Sequence, residues 1–237
     1  MTDDPCVTSP SPNGPAGEGT RAVNLLLFIG VFFVTWAILA KTLWYSPAKP
    51  WLDARLGKQA ADVALSCLKA AIWLGTAAIF LRWRGCSDGL ASLALKDHVC
   101  RGLFLGLAIG ALSLAKDFIR VTHIEHREPL PLSDPAALVI MIIGAPFIEE
   151  VLFRGCILQA LRQHARFGWA NLAQAILFFA IHLPGWFFAG TLTTHLHPGT
   201  SLSIFVLGFF QGYLLKWTRS LWPCVLLHFA NNYGARL

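Results

Sequence analysis

The sequence has few charged residues for its length. Only 14% of its 237 residues are Asp, Glu, Lys or Arg, whereas 55% are hydrophobic, and a soluble globular domain carries about a quarter charged residues. The six cysteines include no CxxC pair, and no disulfide framework is indicated. The shortage of charge argues against an ordinary soluble domain. It predicts an all-α protein, a polytopic helical membrane bundle.

The positive charge is spread thinly along the chain. The formal net charge is +6, yet Lys and Arg stand between apolar runs, as residues that anchor loops to lipid headgroups do. This pattern predicts contact with the lipid bilayer and no nucleic-acid partner.

Apolar runs account for most of the chain. A bilayer core of about 30 Å needs about 20 mainly apolar residues per helix. The runs are Ala22–Ala40, Ala61–Leu81, Gly102–Ala115, Pro135–Ala160, Trp169–Leu192, Ser201–Leu215 and Leu221–Tyr233. They predict about seven transmembrane helices in one domain, residues 21–237, with the first run retained as a helix and not cleaved as a signal peptide. Residues 1–20, rich in Pro, Gly and Ser, are predicted to form a disordered tail.

Ionisable residues inside these runs are candidates for function. Each costs roughly 2.5–3.5 kcal/mol on insertion, so it persists mainly where it has a role. Asp62 lies near the start of a run and can reach the interface. Lys69 lies further along the same run and can snorkel, or pair with a carboxylate of a neighbouring helix. For both residues a structural role is the favoured interpretation.

The segment IEEVLFRG, residues 148–155, carries three ionisable residues. Glu150 and Arg154 are four apart, share one helix face and are predicted to pair. Glu149 is rotated by about 100° from Glu150 and has no cationic partner at helical spacing. An unpaired carboxylate at low dielectric can hold a water molecule as a general base. Glu149 is therefore the candidate base.

Two later runs each carry one further polar cluster. His182 lies within AILFFAIHLPGW, while His228 and Asn232 are four apart in VLLHFANNYG and project from one helix face. Each cluster alone is typical of hydrogen bonds between membrane helices. If all three clusters face one another, they form a polar chamber inside the bundle. Its carboxylate, imidazole and amide groups are suited to activating water and stabilising an oxyanion.

The motifs Glu149-Glu150-x-x-x-Arg154, Phe178-x-x-x-His182 and His228-x-x-x-Asn232 occur in this order on successive runs. They resemble the three motifs of the CAAX-protease and bacteriocin-processing (CPBP) family, which includes type II CAAX prenyl endopeptidases and bacterial Abi proteins. The resemblance covers a catalytic core of about residues 136–235, including the string APFIEEVLFRGCILQAL.

The resemblance implies a glutamate-dependent intramembrane endopeptidase that needs no cofactor. In it, Glu149 is the general base, helped by His182. His228 and Asn232 bind the oxyanion. Glu150 and Arg154 orient the first motif helix.

The chain resembles small bacterial members of the family more than prenyl-processing members. This resemblance implies a multi-pass protein of the bacterial cytoplasmic membrane. The expected substrates are membrane proteins, or lipid-anchored or C-terminally anchored proteins, cut near their membrane segment. The chain ends five residues after Asn232, where prenyl-processing members often continue. This difference leaves open whether the substrates are prenylated or carry C-terminal sorting signals.

Two alternatives remain open. Glu149, His182 and His228 are a ligand set for a catalytic zinc ion with an open fourth position, although the usual HExxH pair is absent. A non-catalytic scaffold or immunity protein would use the same chamber for structure or peptide binding, but it has no need for an unpaired Glu149. Metal-free hydrolysis is the preferred interpretation.

Overall fold

The computed structural model describes residues 16–84, 93–126, 128 and 140–237, and these residues form helices and loops without a strand. The helices are α1 (Ala16–Leu39), α2 (Ala48–Leu56), α3 (Lys58–Trp83), α4 (Val99–Ile119), α5 (residues 140–161), α6 (Phe167–Ala180), α7 (Leu183–Phe188), α8 (Leu192–His195), α9 (Pro198–Thr218) and α10 (Trp222–Gly234). The π-helical turns Ala40–Trp44 and Arg120–Ile124 extend α1 and α4. The predicted all-α polytopic bundle is confirmed.

Five helical segments of the described residues are long and apolar enough to cross a membrane. They are Ala22–Trp44, Lys58–Trp83, Val99–Ile124, Phe167–Phe188 and Pro198–Thr218. Large apolar side chains point away from the bundle, and Ile79, Phe104 and Leu112 are more than 70% exposed. Such surfaces are stable against lipid and costly against water. The chain is an integral membrane protein.

The other two predicted runs form shorter or interior elements. The run Leu221–Tyr233 becomes α10, whose 13 residues span about 20 Å at 1.5 Å per residue, less than the bilayer core. Residues 135–139 of the run Pro135–Ala160 lie outside the described residues, and the rest belongs to α5. A total of seven spans stays a prediction. Of the predicted tail, residues 1–15 also lie outside the described residues, and α1 begins at Ala16.

Helix α5 occupies the centre of the bundle. Apart from the short α-helical turns Ile148–Glu150 and Gln159–Leu161, it is π-helical, and Ile148 to Leu158 are all buried. The ring of Phe153 lies 6.3 Å from Trp73 of α3 and 5.3 Å from Phe178 of α6. Aromatic side chains bury large areas and pack favourably edge to face. These contacts fix α5 between α3 and α6.

Glycines let two helix pairs approach closely. A Cβ added at Gly106 of α4 would lie 2.8 Å from the Cα of Pro223 in α10, and one added at Gly208 of α9 would lie 2.9 Å from the ring of Phe178 in α6. Small residues at such crossings allow membrane helices to pack backbone against backbone. The two pairs hold α10 and α6, which carry His228 and Phe178, in fixed positions in the bundle.

Candidate active site

The two glutamates lie in a buried turn of α5. Glu149 is 5% exposed and Glu150 is 0% exposed, and their α-helical turn lies between two π-helical stretches. Pro146, just before this turn, has no backbone N–H to donate. Short π-helical stretches are frequent at functional sites. The backbone therefore departs from regular α-helix on both sides of the carboxylates.

The predicted pair of Glu150 and Arg154 is present. Nη1 of Arg154 donates to Oε1 of Glu150 at 3.1 Å, and both side chains are fully buried. Nη2 donates to the Gly208 carbonyl oxygen at 3.1 Å and to Oε1 of Gln211 at 2.7 Å. The guanidinium also lies 4.1 Å from the ring centroid of Phe178. A buried charge is tolerated where it is paired and hydrogen-bonded, and here it ties α5 to α9 and α6.

His228 connects the two glutamates. Its Nδ1 lies 2.8 Å from Oε1 of Glu150, and its Nε2 lies 3.9 Å from Oε2 of Glu149. Because the carboxylate of Glu150 accepts, Nδ1 donates, and this bond turns Nε2 toward Glu149. The 3.9 Å separation is too long for a direct hydrogen bond, but one water molecule can contact both atoms.

His182 follows the last residues of α6 and faces the same group of side chains. Its Nδ1 lies 2.9 Å from the carbonyl oxygen of Phe178, so Nδ1 donates and Nε2 is available for a second contact. The Phe178 ring centroid lies 5.4 Å from that of His182 and 5.7 Å from that of His228. Phe178 also lies under the guanidinium of Arg154. The three predicted clusters converge around this ring.

The expectation that Glu149 is an unpaired carboxylate is wrong, although no cation lies at helical spacing from it. Nζ of Lys69 in α3 donates to Oε1 of Glu149 at 2.8 Å. The two residues are 80 apart in sequence, so helical spacing around Glu149 did not reveal the contact. Of the two interpretations of Lys69, pairing with a neighbouring helix is confirmed. Asp62 likewise pairs with Lys49, at 2.9 Å.

Asn232 lies one helical turn after His228 on α10 and is half-buried. Its side chain makes no hydrogen bond with the part of the chain that the structure describes. Its assignment to the oxyanion stays a prediction.

Sequence reasoning missed Gln211, a buried residue of α9 that joins three elements. Its Oε1 accepts from Arg154 and its Nε2 donates to the Cys224 carbonyl oxygen at 3.0 Å. The signal was available, because an amide within the apolar run Ser201–Leu215 needs partners.

The proposed zinc ligands do not fit a metal site. Within the described residues, no three His, Cys, Asp or Glu side chains are arranged to hold a metal ion. The Lys69 ammonium lies against Oε1 of Glu149. A zinc site needs deprotonated ligand atoms directed at one point, and here a fixed cation already contacts the carboxylate.

The comparison with protein families agrees with this arrangement. Residues 131–234 match the model of the Rce1-like type II CAAX prenyl endopeptidases, a region that contains Glu149, His182 and His228 but not Lys69. No curated protein and no solved structure matches the chain significantly. The matched family is one of endopeptidases, and the match supports a peptidase of this general kind. The match over residues 131–234 supports the resemblance of this chain to the CAAX-protease and bacteriocin-processing family.

Proposed function

We propose that the protein is an intramembrane endopeptidase in which Glu149 activates a water molecule. Oε2 of Glu149 takes a proton from the water while the water oxygen adds to the carbonyl carbon of the scissile peptide bond. The proton then passes to the amine as the carbon–nitrogen bond breaks. A base positioned for this transfer contributes roughly 10²–10⁴ in rate.

The relation between Glu149 and His228 supports this proposal most directly. Oε1 of Glu149 is held by Lys69, and Nδ1 of His228 is held by Glu150. The remaining atoms, Oε2 and Nε2, face each other at 3.9 Å. A water between two such fixed atoms is held in one place, and orientation of this kind supplies a large part of enzymatic rate enhancement.

The oxyanion that forms on the carbonyl oxygen needs hydrogen-bond donors. We assign this contact to His228 and Asn232, which lie one turn apart on α10. His182 supports the base, because its Nδ1 is bonded to the backbone and its Nε2 is available. Glu150 and Arg154 hold α5 in position and do not touch the substrate.

The reaction proposed here needs no metal ion. The cation in contact with Glu149 is the ammonium of Lys69, which already balances the charge of the carboxylate. Purified, active protein is expected to contain far less than one zinc per chain and to keep its activity in a chelator. Activity that is lost in chelator and restored by zinc would contradict the proposal.

The proposed substrates are membrane proteins, or lipid-anchored or C-terminally anchored proteins, cut close to the bilayer. The site lies within a bundle whose outer surface is apolar, so a substrate that already lies in the membrane reaches it most readily. The matched family acts on prenylated C-terminal sequences, and a prenylated CAAX peptide is therefore the first probe to use. The membrane of residence proposed for this protein is the bacterial cytoplasmic membrane.

The decisive experiment replaces Glu149 by Gln, which keeps the shape of the side chain and removes the base. Membrane proteins from cells that produce the wild-type chain are expected to lose C-terminal segments, detected by mass spectrometry. Cells that produce Glu149→Gln are expected to keep those segments, with turnover lowered by roughly 10²–10⁴. The variant protein is expected in normal amounts, because Gln still accepts a hydrogen bond from Lys69.

Asp62→Asn is the matched control, since it makes the same carboxylate-to-amide change in α3 at a residue that pairs with Lys49 outside the site. It is expected to cleave like the wild type. Cleavage by Glu149→Gln within a few-fold of the wild-type rate would exclude Glu149 as the base.

A further inference from the structure

Lys69 reaches the candidate base from outside the matched domain. It belongs to α3, whereas the family match covers residues 131–234. Its Nζ donates to Oε1 of Glu149 at 2.8 Å, and the two side chains are 19% and 7% exposed. The closest charge to the candidate base is thus supplied by a helix that the motifs do not include.

Two tryptophans hold the Lys69 ammonium in place. Nζ lies 4.7 Å from the ring centroid of Trp73 and 5.5 Å from that of Trp36. The two rings meet edge to face, with centroids 5.0 Å apart and planes at 89°, and Trp73 is only 1% exposed. A cation over an aromatic face is attracted most strongly where water is excluded. The ammonium is therefore confined by two rings and one carboxylate.

A buried carboxylate such as Glu149 stays ionised only with compensation. Removing an isolated charge from water is very costly, and the usual response is to take up a proton. Arg154 is already engaged by Glu150, Gln211 and the Gly208 carbonyl oxygen. A protonated Glu149 cannot accept a proton from water, so its use as a base depends on a cation at the distance that Lys69 occupies.

The contact also decides which oxygen of Glu149 is used. Lys69 holds Oε1, and Oε2 is the atom that faces Nε2 of His228. The ion pair with Lys69 fixes the plane of the carboxylate, so that one oxygen faces Lys69 and the other faces His228. The oxygen next to the water position is thereby fixed.

We infer that Lys69 is a positioning residue, whose ammonium keeps Glu149 ionised and directs Oε2 toward the water beside His228. This inference rests on the proposed function of Glu149. Lys69 itself transfers no proton in the scheme and acts only through the glutamate.

The first test reads the charge state of Glu149 by infrared spectroscopy of purified protein in detergent at neutral pH. The difference spectrum between wild type and Glu149→Gln is expected to show the bands of an ionised carboxylate. The corresponding difference between Lys69→Met and Lys69→Met/Glu149→Gln is expected to show the band of a protonated carboxyl group. In a Lys69→Arg background the ionised bands are expected to return. This measurement requires no substrate.

The second test measures cleavage of a quenched-fluorescent prenylated CAAX peptide. Lys69→Met is expected to lower kcat by roughly 10²-fold and to leave KM within a few-fold, because a general base contributes about that much to the chemical step. Lys69→Arg is expected to recover kcat to within about 10-fold of the wild type, since the cation is restored with a different shape.

Lys216→Met is the matched control. Lys216 is exposed on α9 and lies 4.5 Å from the ring of Phe167, so the same substitution removes a lysine from an aromatic face outside the site. It is expected to change neither the spectrum nor kcat.

The inference about Lys69 and the proposed function of Glu149 are contradicted by different results. Ionised carboxylate bands that persist in Lys69→Met would overturn the inference about Lys69 and leave the proposed function standing. Wild-type cleavage by Glu149→Gln would overturn the proposed function, and the positioning role of Lys69 would fall with it.

Discussion

At the scale of single residues, the site contains two ion pairs that differ in solvent exposure. Glu149 and Glu150 are each paired with one cation, Lys69 and Arg154 respectively, and His228 faces both carboxylates. The Glu150–Arg154 pair is 0% exposed on both sides, whereas Lys69 is 19% exposed. The inaccessible pair is suited to holding helices together. The more accessible pair is suited to a carboxylate that must meet water and a peptide bond.

Removal of Arg154 is expected to destabilise the whole protein. Arg154→Ala leaves Glu150 buried beside His228 without its cation, and it leaves Oε1 of Gln211 without a donor. Removing one partner of a buried pair costs about 3–5 kcal/mol. Thermal unfolding in detergent is expected to show a clearly lower midpoint, together with less folded protein in the membrane.

Arg162→Ala is the control for this prediction, since Arg162 lies just after α5, is exposed and contacts Gln159. Its effect is expected to stay within about 0.5 kcal/mol, as for most surface substitutions. An unfolding midpoint of Arg154→Ala equal to that of the wild type would show that the pair does not stabilise the bundle.

At the scale of helices, the sequence predicts the helices whose apolar faces lie toward the lipid. The helices α1, α3 and α4 face outward with large apolar residues, and each carries a long, mainly apolar run. The site residues on α5, α6 and α10 were found because ionisable groups are rare in such runs. Their order along the chain also matched a known set of motifs.

Other features of the helices depend on contacts between distant residues. The π-helical turns of α5 and the short length of α10 follow from packing in the bundle. The Lys69–Glu149 pair joins two helices that are 80 residues apart. A pattern read along one helix finds Glu150 and Arg154, which are neighbours on one face, and does not find a partner that arrives from another helix.

At the scale of the whole molecule, the segment before the matched domain completes the site. Lys69 and Trp73 of α3 contact Glu149 and Phe153 of α5. Helix α4 packs against α10 where Gly106 faces Pro223 and Leu226. Both contacts cover faces of the matched domain that are buried in the full chain. Residues 131–234 alone are therefore expected not to fold into an active peptidase.

Cutting the chain after His126, between α4 and α5, tests this dependence. Residues 127–237 produced alone are expected to accumulate poorly in the membrane, because α5 and α10 lose the helices that bury them. Production together with residues 1–126 is expected to restore a complex that co-purifies and cleaves substrate, as membrane helices that are stable by themselves can associate after insertion. An N-terminal piece with Lys69→Met is expected to restore co-purification but to lower cleavage by roughly 10²-fold. Assembly depends on many contacts between the two pieces, whereas the ionisation of Glu149 depends on its contact with Lys69. If residues 127–237 alone cleave like the full chain, neither α3 nor Lys69 is part of the working site.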